Sequence, residues 1–96
     1  MYTEGVPFEW DPNKAQANVR KHGVQFSEAT GIFSDDYAIT IPDDESDPDE
    51  QRFVTLGMGT KGRILVVVYC YRRENIRIVS ARTAGPPERQ EYEAQR

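Results

Sequence analysis

Apolar and polar positions follow two different periods along this chain, and the switch between them marks the elements. Near the start, the short apolar-aromatic stretch Val6-Pro7-Phe8-Glu9-Trp10 stops at Asp11-Pro12 and predicts a first strand. Asp11 suits an N-cap and Pro12 the first helical position, so a helix begins there. Ala15, Asn18, Val19 and His22 follow at i, i+3, i+4 and i+7, which is one helical face. Gly23 supplies the left-handed stop. Sharing that face with Val19, His22 is expected to be buried. A second helix follows at once, with Phe26, Ala29, Thr30 and Phe33 on its inward stripe. Gln25 is a poor N-cap for it, although Glu28 stands where a capping box has its acid.

From Tyr37 onward the period is two. Tyr37, Ile39 and Ile41 share one face of the strand "YAITI". The two-proline acidic stretch "PDDESDPDE" predicts a mobile loop. "RFVTLGM", "RILVVVYCYR" and "NIRIVSART" are three more strands, separated by the turn signals Gly59-Thr60-Lys61-Gly62 and Arg73-Glu74-Asn75. Strands joined by such short turns form an antiparallel meander. Pro86-Pro87 opens a last helix, "PERQEYEAQR". The order β-α-α-β-β-β-β-α predicts an α+β domain: an antiparallel sheet with two N-terminal helices and one C-terminal helix against one face. There is no repeat or internal boundary, and residues 1–96 read as one domain.

Composition supports a folded chain, with 38% hydrophobic residues. A domain this small is only modestly stable alone and gains from a partner. No apolar run approaches the ~20 residues of a membrane span. "MYTEGVPFEW" lacks the basic and apolar segments of a secretory leader, so the cytoplasm is the expected location. The single Cys70, inside an apolar run, reads as a small buried residue and has no second cysteine to pair with. No Gly-rich phosphate loop, metal-ligand cluster or nucleophile elbow is present, and no cofactor or metal is expected.

The net charge of −4 hides a split. Residues 1–50 hold 3 Lys/Arg against 12 Asp/Glu, while residues 51–96 hold 9 against 4. The basic segment contains Arg52, Arg63, Arg72, Arg73, Arg77 and Arg82, with Glu74 as the one acid among them. A local basic field of this kind attracts an anionic partner whatever the total charge. Arginine also suits bidentate phosphate contacts. The plainer reading is that strand arginines near turns are solvated charges guarding sheet edges. In a regular strand Arg77 and Arg82 point to opposite faces, and only a bulge or the sheet's end brings them together. Arg82 would then share its face with Ile76 and Ile78, so its removal should lower stability, whereas Arg63 and Arg77 should be dispensable for folding.

Three further features have two readings each. Lys21-His22 at a helix C-terminus is favoured by the helix dipole and can bond free carbonyls, yet the same histidine could move protons. The acidic loop Asp43–Glu50 lacks the central glycine and flanking helices of a calcium loop and reads as solvated. Glu88 and Tyr92, one helical turn apart, are an ordinary amphipathic helix end or a supplement to a site.

Taken together, "FEWDPNKAQANVRKHGVQFSEA", "GRILVVVY" and "RIVSAR" resemble the BrnT family, small toxins of type II toxin–antitoxin systems with a RelE-like ribonuclease fold. The similarity runs from Phe8 to Tyr92, and is densest at Trp10-Asp11-Pro12, Asn18, Lys21-His22-Gly23, Phe26, Ala29, Phe33, Arg63, Arg77-Ile78 and Ser80-Ala81-Arg82. Gln51, Gly85 and Pro86-Pro87 depart from the family's pattern and bear on where the last helix starts. The resemblance implies a metal-independent endoribonuclease that cleaves RNA and slows translation and growth. It implies a cognate ribbon-helix-helix antitoxin, BrnA-like, that forms a hetero-oligomer with the toxin and carries it to operator DNA. In that scheme Arg63, Arg77, Arg82, His22 and Lys21 are the catalytic candidates, and Arg52, Arg72, Arg73, Tyr92 and Glu88 the RNA-binding ones. A phosphorane intermediate carries more charge than the substrate, which permanently protonated guanidinium groups can stabilise. Two other classes fit the same residues, a non-catalytic antitoxin-binding co-repressor and a basic RNA-binding module. The few aromatics among the arginines weigh against the second.

Overall fold

The computed structural model describes residues 7–45 and 47–95. Val6 of the expected first strand with residues 1–5 before it, Ser46 of the acidic loop and Arg96 of the last helix lie outside them. β1 (Phe8–Glu9) leads into α1 (Pro12–His22). The Asp11 carboxylate accepts the N–H of Asn13 at 2.8 Å. At the other end Gly23 takes φ 69°, and its N–H donates to the Val19 carbonyl at 2.8 Å. Glycine reaches that conformation without steric penalty. The inward stripe is Ala15, Asn18 and His22, with Asn18 buried and the other two half-buried. Val19, expected inside, is 41% exposed.

Asn18 is buried because it replaces a strand. β1 pairs with β5 (Asn75–Thr83) only at Ile76 and Arg77, so the same edge of β5 is bare at Ala81. There the Asn18 amide takes over. Its Nδ2 donates to the Ala81 and Val24 carbonyls at 2.8 and 2.9 Å, and its Oδ1 accepts the Ala81 N–H at 3.1 Å.

The second helix is shorter than its pattern suggested. α2 (Phe26–Ala29) tightens into a 3-10 helix over Thr30–Ser34. With three residues per turn, Phe26, Ala29 and Ile32 align and are buried, whereas Thr30 and Phe33 are only half-buried. The tightening accompanies a close backbone approach. A Cβ on Gly31 would lie 2.6 Å from the Thr60 nitrogen. Thr60 in turn donates its N–H to the Glu28 carbonyl at 3.0 Å.

β2 (Ile39–Pro42), β3 (Arg52–Met58), β4 (Ile64–Arg72) and β5 are antiparallel neighbours, and the sheet order is β1-β5-β4-β3-β2. β1 joins parallel to β5, so the five-stranded sheet is mixed rather than wholly antiparallel. The expectation that all helices lie on one face is also corrected. On the first face, Leu65, Val67, Tyr69, Ile76, Ile78 and Ala81 pack with Val24, Phe26, Ala29 and Ile32. On the second, Leu56 and Val66 pack with Tyr92 of α3 (Pro86–Glu93). α3 starts at Pro86 with Gly85 as its N-cap, and the Glu88 carboxylate accepts the Gly85 N–H at 2.8 Å.

Candidate functional site

A single extra residue decides which arginines share a face. Along β4 and β5, Val68 is opposite Ser80 but Tyr69 is opposite Ile78, so Val79 is an unpaired bulge. The bulge resets parity. Arg77 lies opposite Cys70 and Arg82 opposite Val66, and both arginines point to the second face. Arg82 therefore does not share its face with Ile76 and Ile78, as a regular strand would require. Its exposed side chain is not part of the core.

The arginines nonetheless fall into two groups, because Arg77 and Arg82 are about 15 Å apart along the strand at ~3.3 Å per residue. At the hairpin between β4 and β5, each strand arginine meets a carboxylate from elsewhere in the chain. Arg77 donates to Glu9 at 2.8 Å, Arg72 to Glu50 at 3.0 Å, and Arg52 lies 3.3 Å from Asp43. Asn75 also donates to Glu9 at 2.8 Å. Hydrogen bonds from Asn75 and Arg77 hold the Glu9 carboxyl below its usual range, and Arg72 does the same to Glu50. Arg73, in the turn at φ 57°, stands next to Glu74. Four arginines here face four acids, and the cationic field expected from the sequence is neutralised. The acidic loop is likewise not simply solvated, since Asp43 and Glu50 fasten its two ends to Arg52 and Arg72.

The other end of the sheet, where β4 starts and β5 finishes, has a different balance. Arg63 is clamped side-on to Glu28. Nε donates to Oε2 at 2.8 Å, and Nη2 donates to Oε1 at 2.6 Å and to the Gly23 carbonyl at 3.1 Å. Glu28 is 2% exposed, and its carboxyl is held low, chiefly by the Arg63 hydrogen bonds. Arg63 therefore ties three things together: the β3–β4 turn, the start of α2 and the closing glycine of α1. Its Nη1 has no partner among the described residues. Gly62, Arg63, Ile64, Thr83, Ala84 and Arg89 line a cleft of about 300 Å³ there. Arg82 adjoins it, bonded bidentately to Glu88 at 2.9 and 2.8 Å and to the Thr83 carbonyl at 3.4 Å. The Glu88 carboxyl is drawn down to about 2, first by Arg82 and then by the Gly85 N–H. Lys61, Arg63, Arg82 and Arg89 here outnumber Glu28 and Glu88, and Arg20 and Lys21 extend the excess along the last turn of α1.

His22 comes to this end through its neighbour, Gly23, whose carbonyl Arg63 holds. Its imidazole is half-buried and caps no carbonyl among the described residues, since Gly23 closes the helix itself. Lys21 is exposed beside it. Tyr92 does not fit the RNA-contact role expected for it. It is 1% exposed, and its hydroxyl donates to Asp35 at 2.7 Å, the same carboxylate oxygen that accepts the Met58 N–H at 2.8 Å. Tyr92 anchors α3 to the sheet. Glu88, expected to contact RNA, is engaged by Arg82. Sequence reasoning missed Arg89 and Glu28. Nothing local marks Arg89, whereas Glu28 was visible as an acid on an otherwise inward-facing segment. Cys70 is buried, and burial pushes its thiol up from the ordinary value. Among the described residues, no three His, Cys, Asp or Glu side chains converge as a metal site requires, and no helix is long and apolar enough to cross a membrane.

Comparison with known proteins gives one family and one fold. The family described as "Ribonuclease toxin, BrnT, of type II toxin-antitoxin system" matches residues 10–88. The structure is similar to the 1.1 Å crystal structure of the Brucella abortus ribonuclease toxin BrnT, with a TM-score of 0.63 and 24% identity. That match covers 83% of this chain and 96% of the other, and at this identity it speaks for the α+β fold. No curated protein matches the chain.

Proposed function

We propose, for a chain that belongs to the BrnT family of ribonuclease toxins of type II toxin–antitoxin systems, that it cleaves RNA at the cleft beside Arg63. Family membership brings a cognate antitoxin as partner. The finer parts of the reading are ours: a metal-independent reaction on a RelE-like fold, in the cytoplasm, that arrests growth. The partner in this reading is a ribbon-helix-helix protein of the BrnA kind, through which alone operator DNA is reached.

One observation carries the assignment of the site. Arg63 is held by a buried carboxylate and a helix-terminal carbonyl, and together with Arg89 it lines a cleft. A guanidinium fixed in this way needs no rearrangement when charge develops in front of it. RNA cleavage without an external nucleophile begins when a ribose 2′-oxygen attacks the adjacent phosphorus. The phosphorane that forms carries extra charge on its non-bridging oxygens. Arg63 and Arg89 take those oxygens, and removal of one such donor typically costs about 10²–10³ in rate. The 2′-hydroxyl must lose a proton and the departing 5′-oxygen must gain one, after which the product ends in a 2′,3′-cyclic phosphate. In this reading His22 is the group for proton transfer and Lys21 adds charge: both precede the Gly23 whose carbonyl Arg63 holds, and neither is among the residues that line the cleft.

The test is cleavage of a single-stranded RNA by the purified protein in EDTA, with the product ends identified. Cyclic phosphate ends formed without metal support the reading, and activity that needs magnesium and leaves 3′-hydroxyl ends contradicts it. His22→Gln keeps the size and hydrogen bonding of the residue. The variant should fold normally and lose about 10²–10⁴ of the rate, the range for general acid–base groups.

A further inference from the structure

The second face of the sheet is only partly covered. α3 has eight residues, about 12 Å of helix at 1.5 Å per residue. Its Tyr92 packs on Leu56 and Val66, beside Met58, Ile64 and Ala84. The next strip of that face, toward the hairpin end, is Ile41, Val54 and Val68, in register across β2, β3 and β4. It lies open: Ile41 is 57% exposed, and the two valines are half-buried. Ile39, Ile41, Val54, Leu56 and Val66 form the floor of a groove of about 150 Å³ whose α3 rim is Glu88 and Glu91. The far rim is the row containing Arg52, Cys70 and Arg77.

We infer that this groove receives an amphipathic helix of the cognate antitoxin, with aliphatic residues against Ile41 and Val54 and a Lys or Arg against Glu91. The inference rests on the family assignment, which supplies the partner, and not on the cleavage reading. Three features of the groove select the occupant. From Arg52 to Leu56 along β3 is about 13 Å at ~3.3 Å per residue, which admits one helix of ~10 Å diameter beside α3. An added strand fits less well, because the open edge strand β2 has four residues and ends at Pro42, which has no N–H to offer. A second copy of this chain is the competing occupant, and the dimerisation measurement below separates it from the antitoxin. Glu91 has no cationic partner among the described residues, unlike Glu88, and is the rim charge available to a basic helix.

The experiment measures binding of the purified cognate antitoxin to wild-type toxin and to three variants: Ile41→Asp, Glu91→Lys, and Tyr71→Asp on the opposite face as a control. All three positions are exposed, so folding is expected to persist and is checked by thermal melting. Ile41→Asp should weaken binding by about a hundredfold, as a buried hot-spot residue would. Glu91→Lys should weaken it about tenfold, and Tyr71→Asp should leave it near wild type. Binding unchanged by Ile41→Asp overturns the inference. It is also overturned if isolated wild-type toxin dimerises and Ile41→Asp abolishes the dimer, because the groove is then occupied by a second copy. RNA cleavage is assayed on the same proteins without antitoxin. A wild-type protein that binds antitoxin through Ile41 yet cleaves no RNA supports the docking surface and overturns the cleavage reading alone.

Discussion

The two ends of the sheet carry similar numbers of arginines and differ in what holds them. At the hairpin end, Arg52, Arg72 and Arg77 each meet a carboxylate that is half-buried at most, and with Arg73 and Glu74 the charges cancel. At the cleft end, Arg63 is anchored to the almost fully buried Glu28, and cations outnumber acids. An exposed pair contributes little to stability and leaves no net field. A cation held by a buried carboxylate is a structural member with a fixed position, and the excess charge at this end comes from Lys61 and Arg89, which no ion pair among the described residues engages. Counting arginines therefore does not locate an anion site. Which carboxylates fold back onto them does.

The largest expected effect breaks the clamp at the cleft end. Arg63→Ala leaves Glu28 as a buried charge without its partner, which typically costs about 3–5 kcal/mol. Thermal or urea unfolding should show a loss of that order, contrary to the sequence expectation that Arg63 is dispensable for folding. Adding Glu28→Gln should recover most of the loss, because the neutral amide no longer needs the guanidinium. A lone Arg63→Ala as stable as wild type would show that the clamp contributes nothing.

Salt dependence sharpens the same contrast. If the cleft end binds single-stranded RNA, log K should fall with log salt at about −0.7 for each phosphate neutralised. Arg89→Ala should flatten that slope by about one such step, and Arg73→Ala at the hairpin should not change it. Equal flattening by both variants would mean that the charge balance drawn between the two ends is wrong.

The smallest effects concern the exposed pairs. Arg77→Ala should cost less than Arg63→Ala, because the half-buried Glu9 it leaves behind still reaches water and keeps its bond from Asn75. Glu88 gives a pH signature. Its folded carboxyl titrates near 2 against an ordinary value of 4.5, so the pair stabilises the fold above about pH 4.5. That contribution is lost as the pH falls from about 4.5 toward 2. The stability gap between wild type and Glu88→Gln should be widest at neutral pH and close in that window. A gap that stays constant down to pH 2 would contradict the role given to Arg82.

Much of the fold was legible because its signals are local. Asp11-Pro12 and Gly23 delimit α1 by side-chain capping and backbone freedom, and the glycine turns and period-two alternation delimit β3, β4 and β5. What escaped depends on residues far apart in sequence. β1 joins the sheet through two residues, and its Glu9 meets Arg77 across 68 positions. The single unpaired Val79, which turns Arg77 and Arg82 to one face, has no local marker. The placement of α3 opposite the other helices had a sign in "LVVVY", since an uninterrupted apolar run belongs to a strand covered on both faces. Asn18 also had one, as a polar residue on an inward stripe. For the candidate site, the resemblance singled out Arg63 and Lys21-His22, and Arg63 bonds the carbonyl of Gly23, the residue after His22. Tyr92 was expected at the RNA because its helix was visible, whereas its hydroxyl's contact with Asp35, 57 positions away, was not.

The central claim is that the cleft end, and not the hairpin end, is where RNA is cleaved. Two charge-balanced double variants test it most directly: Arg63→Ala/Glu28→Gln and Arg77→Ala/Glu9→Gln. Each removes one ion pair without stranding a charge, so folding should survive in both and unfolding curves will verify it. The account predicts that the first loses about a hundredfold or more in the RNA cleavage rate, as expected for an absent oxyanion donor, while the second cleaves near the wild-type rate. Near wild-type cleavage by the first variant together with a collapse in the second would contradict the account.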